Sequence, residues 1–113
     1  MILENFKAGW QREFEDKIQA LLRLFPSIKI DYIKRHFGML KIKTSGLDKD
    51  TQYIVDCVTY KIERESARLC EVCGSYGTRR NGYIPEMMCL CWKCYAIEID
   101  SMESRNTNLE SSV

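Results

Sequence analysis

This sequence has almost no excess charge: across 113 residues, 17 Lys and Arg stand against 16 Asp and Glu, a net of +1. That balance excludes a globally basic nucleic-acid coat and an acidic mimic of DNA. No apolar run approaches the ~18 residues that a membrane span requires. Histidine is represented only by His36, so a base paired with a catalytic metal or nucleophile has almost no candidates. No glycine-rich phosphate loop, internal repeat or low-complexity linker is present. The opening MILENFKAGWQREFEDK meets acidic residues too early for an export signal, which predicts a cytoplasmic protein. With 45% hydrophobic and 29% charged residues, the composition is that of a folded globular chain.

Cysteine, by contrast, is abundant. Five of the six lie between positions 70 and 94, in two tight groups. In a reducing compartment this clustering points to a metal before disulfides. The pairs are Cys70-Glu-Val-Cys73, followed by Gly74, and Cys91-Trp-Lys-Cys94. A two-residue spacing lets both thiolates of a pair reach one ion at about 2.3 Å. Gly74 can take the positive φ that turns a knuckle and aims backbone N–H groups at the sulfurs. Gly77, Asn81 and Gly82 can turn a β-hairpin, with Tyr83 and Ile84 on the return strand before Pro85. Cys91 and Cys94 open a helix in which Tyr95, Ile99 and Met102 share a face, and a helix N-terminus favours thiolates. Knuckle, hairpin and helix describe a treble-clef-like module with one structural Zn²⁺ held by Cys70, Cys73, Cys91 and Cys94. Cys89 is the spare sulfur, with Cys89 in place of Cys91 as the alternative.

Upstream, Leu3, Phe6, Trp10, Phe14, Ile18, Leu21 and Phe25 recur at steps of three or four, which predicts a helix up to Pro26. Gly9 weakens the helix interior, which allows the stable part to begin near Trp10. Residues 27–45 alternate at both ends, giving either strand, one or two helical turns and strand, or a plain hairpin turning at Phe37-Gly38. Asp48 or Asp50 caps a second helix whose apolar stripe is Tyr53, Ile54, Cys57, Val58, Ile62 and Leu69. Cys57 then reads as a small buried thiol and Val58 as the centre of the core face. The whole is an α+β unit over 1–69, a zinc module over 70–100 and a flexible polar tail over 101–113.

A saturated four-cysteine zinc has no open coordination position, so the sequence predicts a protein that is not an enzyme and has no small-molecule substrate. Four thiolates on Zn²⁺ leave a local charge of about −2. Arg79 and Arg80 either offset that charge, together with Lys93, or form an exposed contact at the hairpin tip. A second basic group comprises Lys34, Arg35, Lys41 and Lys43, beside Lys29.

Several stretches together carry a resemblance. They are Gly9-Trp10, Ile33-Lys34-Arg35-His36-Phe37-Gly38-Met39-Leu40-Lys41, the run Glu63 to Gly74, Gly82-Tyr83 and Leu90-Cys91. Over roughly residues 9–94 the chain resembles small phage and prophage zinc-finger proteins that share the pattern GW…KxxFGxLR…ESxxxCExCGxxG…GWxxTLC. It departs in having Tyr83 for Trp, Cys89 for a Thr-like residue, and a longer stretch from Gly82 to Cys91. The resemblance implies a mobile-element origin and a life in the cytoplasm of a bacterial host. Two functions follow as expectations. The first is an interaction protein that binds and modulates a host protein, action against host defence being one form of this. The second is a nucleic-acid-binding zinc finger using the basic residues.

Overall fold

The computed structural model describes the backbone of residues 1–111 and the side chains of residues 1–102. The elements run α1 (Ala8–Leu24), β1 (Lys29–His36), β2 (Met39–Ser45), α2 (Lys49–Ser66), β3 (Thr78–Arg80), β4 (Met88–Leu90) and α3 (Trp92–Ser111). Helix α1 ends before Phe25-Pro26, as proline demands. It starts at Ala8 rather than near Leu3. Residues 2 and 3 instead fold back, their N–H groups donating to the Glu15 carboxylate, which still buries Leu3. Helix α3 carries its helical backbone to Ser111, through the stretch expected as a polar tail.

Strands β1 and β2 form an antiparallel hairpin that turns at Phe37-Gly38, so the plain hairpin is correct and the intervening helical turns are not. Both turn residues have positive φ, 51° at Phe37 and 77° at Gly38, which matches the right-handed twist of a tight two-residue turn. The pairing Ile33↔Ile42 and Arg35↔Leu40 places one set of side chains inward, while Lys34↔Lys41 and Tyr32↔Lys43 face out.

Helix α2 lies along β2. Asp48 caps it by accepting from the Thr51 N–H at 3.0 Å. Its buried residues are Val55, Thr59, Ile62, Glu63 and Ser66. Glu63 Oε2 accepts from the Ile42 N–H at 2.8 Å, and Ser66 Oγ accepts from the Leu40 N–H at 2.8 Å. Two polar side chains thus complete the edge of a strand that would otherwise present bare amides. This overturns the expected core stripe. Val58 is 38% exposed and Cys57 is an exposed thiol, because the buried face is rotated around the helix toward Val55.

The substitution pair Val55→Asp and Val58→Asp reads that rotation directly. Val55→Asp is expected to unfold the chain, since it buries an unpaired charge. Val58→Asp should leave thermal melting close to wild type. The reverse ranking in a melting experiment would restore the Val58 face to the core.

The first core gathers Leu3, Trp10, Phe14, Ile18, Leu21, Leu40, Ile42 and Ile62, so α1 and α2 share a core with the hairpin as expected. The second gathers Ile84, Met88, Leu90, Cys70 and Cys94. Strand β4 separates them. Its side chains alternate, sending Met88 and Leu90 into the second core and Cys89 into the first.

Candidate metal centre

Residues 69–76 make the knuckle. Leu69 and Tyr76 form an antiparallel bridge. Inside it the Cys70 N–H donates to the Ser75 carbonyl at 2.6 Å and the Gly74 N–H to the Cys70 carbonyl at 2.8 Å. Gly74 takes φ +82°, the conformation expected of it. The other pair is delivered by the start of α3. Cys91 occupies the helix cap: its carbonyl accepts from the Tyr95 N–H, and its Sγ accepts from the Cys94 N–H at 3.4 Å. A candidate ligand therefore also does the work of a helix-capping oxygen.

The sulfurs of Cys70, Cys73, Cys91 and Cys94 all lie within 4.8 Å of one another and could hold a metal ion. Sulfurs about 2.3 Å from a tetrahedral ion stand about 3.8 Å apart. Cys73 Sγ and Cys91 Sγ are 3.7 Å apart, which fits such an ion and is far too long for a disulfide. Hydrogen bonds from Ser75 bring the Cys73 thiol down to about 6. Burial, together with the three neighbouring cysteines, pushes Cys94 well above the ordinary thiol range. Without a cation the cluster cannot hold four thiolates side by side, and a divalent ion removes that conflict.

Cys89 is completely buried among apolar residues, and burial pushes its thiol up to about 12. It stands on the opposite face of β4 from the cluster, which identifies it as the spare sulfur.

The basic residues do not form one patch. Arg79 and Arg80 lie within β3 itself, paired with Cys89 and Met88, and not at the hairpin tip. The return strand is Met88–Leu90 rather than Tyr83-Ile84, leaving residues 81–87 as the turn. Arg80 donates to the Leu90 carbonyl at 3.0 Å and lies over the Tyr95 ring, so it braces the hairpin against α3. Arg35 faces inward and pairs with Glu71 at 2.6 Å and with Glu86. It is separated from Lys34, Lys41 and Lys43 on the outer face. Arg12 of α1 also reaches the knuckle, donating to the Cys73 carbonyl at 3.1 Å.

The start of α1 sits directly on the knuckle. Gly9 and Trp10 both donate their backbone N–H to the Glu71 carbonyl, and the Trp10 indole donates to the Leu69 carbonyl at 2.9 Å. A Cβ on Gly9 would lie 2.4 Å from the Cys70 oxygen and 2.5 Å from the Gly74 nitrogen. Gly9 therefore permits a close backbone approach, a role its helix-weakening character concealed. Its only sequence signal was a glycine in the first turn of an otherwise regular helix.

The β1–β2 turn leans on the β3–β4 hairpin. A Cβ on Gly38 would meet the Arg79 side chain at 2.9 Å, so the two lie in contact. Between them opens a groove of about 600 Å³ lined by Phe37, Ala67, Arg68, Gly77, Thr78, Arg79 and Met87. His36 is exposed on the same turn, with its ring 4.3 Å from that of Phe37.

Among the described residues, the fold and site define an α+β protein of two small antiparallel sheets and three helices with a zinc-finger-like four-cysteine knot. Comparison with known protein families, with curated proteins and with solved structures finds no match to the chain. Among the described residues, no helix is long and apolar enough to cross a membrane.

Proposed function

We propose that the chain is a non-enzymatic interaction protein, stabilised by one structural zinc, that binds a host protein in the bacterial cytoplasm and belongs to a phage or mobile element. The observation that carries this proposal is the groove beside the metal centre. Its lining combines the exposed Phe37 ring and Met87 with two arginines, Arg68 and Arg79, and contains no acidic residue. That combination suits an acidic partner segment carrying an apolar side chain, and arginine is enriched at binding hot spots. Four cysteine ligands would saturate a zinc ion, leaving no position for a substrate or an activated water. The Phe37-Gly38 element and Arg79 come from separate parts of the sequence, and both contribute to this groove.

Nucleic-acid binding is the second proposal. It rests on Lys34, Lys41, Lys43 and Tyr32, which face outward together on the first hairpin.

Affinity capture from host lysate, with wild type and Arg79→Glu in parallel, tests the first. The substitution keeps methylene groups against Gly38 while reversing the charge in the groove. Loss of a captured protein with unchanged zinc content and melting is expected. Equal capture by both proteins would remove the groove from the interface. Retention on a DNA column that falls steeply between about 50 and 300 mM salt would favour the lysine face instead.

A further inference from the structure

Helix α2 has a second apolar face, diametrically opposite its buried one. At 100° per residue, Val55, Thr59, Ile62 and Ser66 share the core side, while Tyr53, Ile54, Cys57 and Tyr60 project outward. Tyr53 is 71% exposed, Ile54 54% and Tyr60 58%, and Cys57 is an exposed thiol between them. Asp50 and Arg64 lie on this same face, one near each end.

The order of residues along this face is self-complementary. Laid antiparallel on itself about Cys57, the helix sets Asp50 opposite Arg64, Tyr53 opposite Lys61, Ile54 opposite Tyr60, and Cys57 opposite its own copy. A two-fold dimer requires that reciprocity, because each contact must occur twice with the roles exchanged. Opposite charges meet at both ends, a lysine faces a tyrosine ring, and apolar groups fill the middle. A parallel arrangement would set Asp50 against Asp50 and Arg64 against Arg64.

We propose that the chain forms a homodimer through this face, α2 packing antiparallel on α2 of a second copy with the two-fold axis at Cys57. The occupant is a second copy because the charge pattern answers itself. The dimer leaves the metal centre untouched, since its cysteines lie beyond the end of α2.

Sedimentation equilibrium on the zinc-loaded full chain, combined with a short bis-maleimide crosslinker, tests this. A dimer that the crosslinker traps through Cys57, and that Cys57→Ser no longer yields in crosslinked form, is expected. Asp50→Arg should raise the dimer dissociation constant by about tenfold or more, since two attractions become two repulsions. The double variant Asp50→Arg/Arg64→Asp should restore dimerisation, although both changes oppose the helix dipole. A monomer at every concentration up to about 1 mM would overturn the proposal. So would a dimer indifferent to Asp50→Arg, or a folded double variant that stays monomeric. Those last two results would place the contact elsewhere or give the face to a different protein.

Discussion

Cys73→Ser is expected to strip the metal and destabilise the whole chain, starting at the knuckle, the β3–β4 hairpin and the start of α3 and reaching the first core through β4. Structural zinc in small domains contributes about 10–16 kcal/mol at neutral pH. That is comparable to the whole stability of a typical domain, about 5–15 kcal/mol. The second core contains few large side chains beyond Ile84, Met88 and Leu90, so little burial remains to hold it once the ion leaves. Elemental analysis should show one zinc per wild-type chain and none in the variant, with one melting transition at a much lower temperature or none at all. Cys89→Ser provides the contrast. It should keep its zinc and lose only about 1–3 kcal/mol, because a hydroxyl enters an apolar core without a partner. A variant at Cys89 that released the metal while Cys73→Ser retained it would reverse the ligand assignment.

Gly9→Ala is expected to destabilise the chain by about 3 kcal/mol or more, at the upper end of overpacking costs. Helix propensity alone predicts the opposite sign, a gain of up to about 1 kcal/mol. The three atoms that an added methyl would strike, the Cys70 and Glu71 oxygens and the Gly74 nitrogen, all belong to the backbone and cannot rotate aside. Either α1 or the knuckle must shift, which breaks the paired hydrogen bonds of Gly9 and Trp10 to Glu71. A fall in melting temperature of about 10 °C or more follows for a chain of this size. An unchanged or raised melting temperature would mean that the knuckle does not rest on α1.

The metal centre was legible because its information is local. Two cysteines two residues apart, a knuckle glycine and a helix start are all contained in short windows around the four ligands. The α2 register was not legible, because the helix has apolar residues on both sides. Hydrophobicity alone favoured Tyr53, Ile54, Cys57 and Val58, whereas the core side includes Thr59, Glu63 and Ser66. The last two are buried for their hydrogen bonds to β2, a reason that no count of apolar residues detects. The turn at Phe37-Gly38 lacks the Asn-Gly or Asp-Gly signature of its type, which left a helical alternative open. Arg35 seemed to belong with its lysine neighbours. Its inward direction follows from pairing with Leu40, and its charge partners, Glu71 and Glu86, lie far along the chain. The groove could not be anticipated either, since Phe37, Arg68 and Arg79 meet only once the chain has folded.

Strand β4 has three residues and no solvent face: Met88, Cys89 and Leu90 are all buried, the middle one pointing into one core and its neighbours into the other. The two cores therefore share a single wall. Neither can loosen without withdrawing packing from the other, so the chain should melt as one thermodynamic unit despite its two-part sequence. Departure of the ion would then be felt as far away as Trp10 and Phe14, in the core on the other side of that wall.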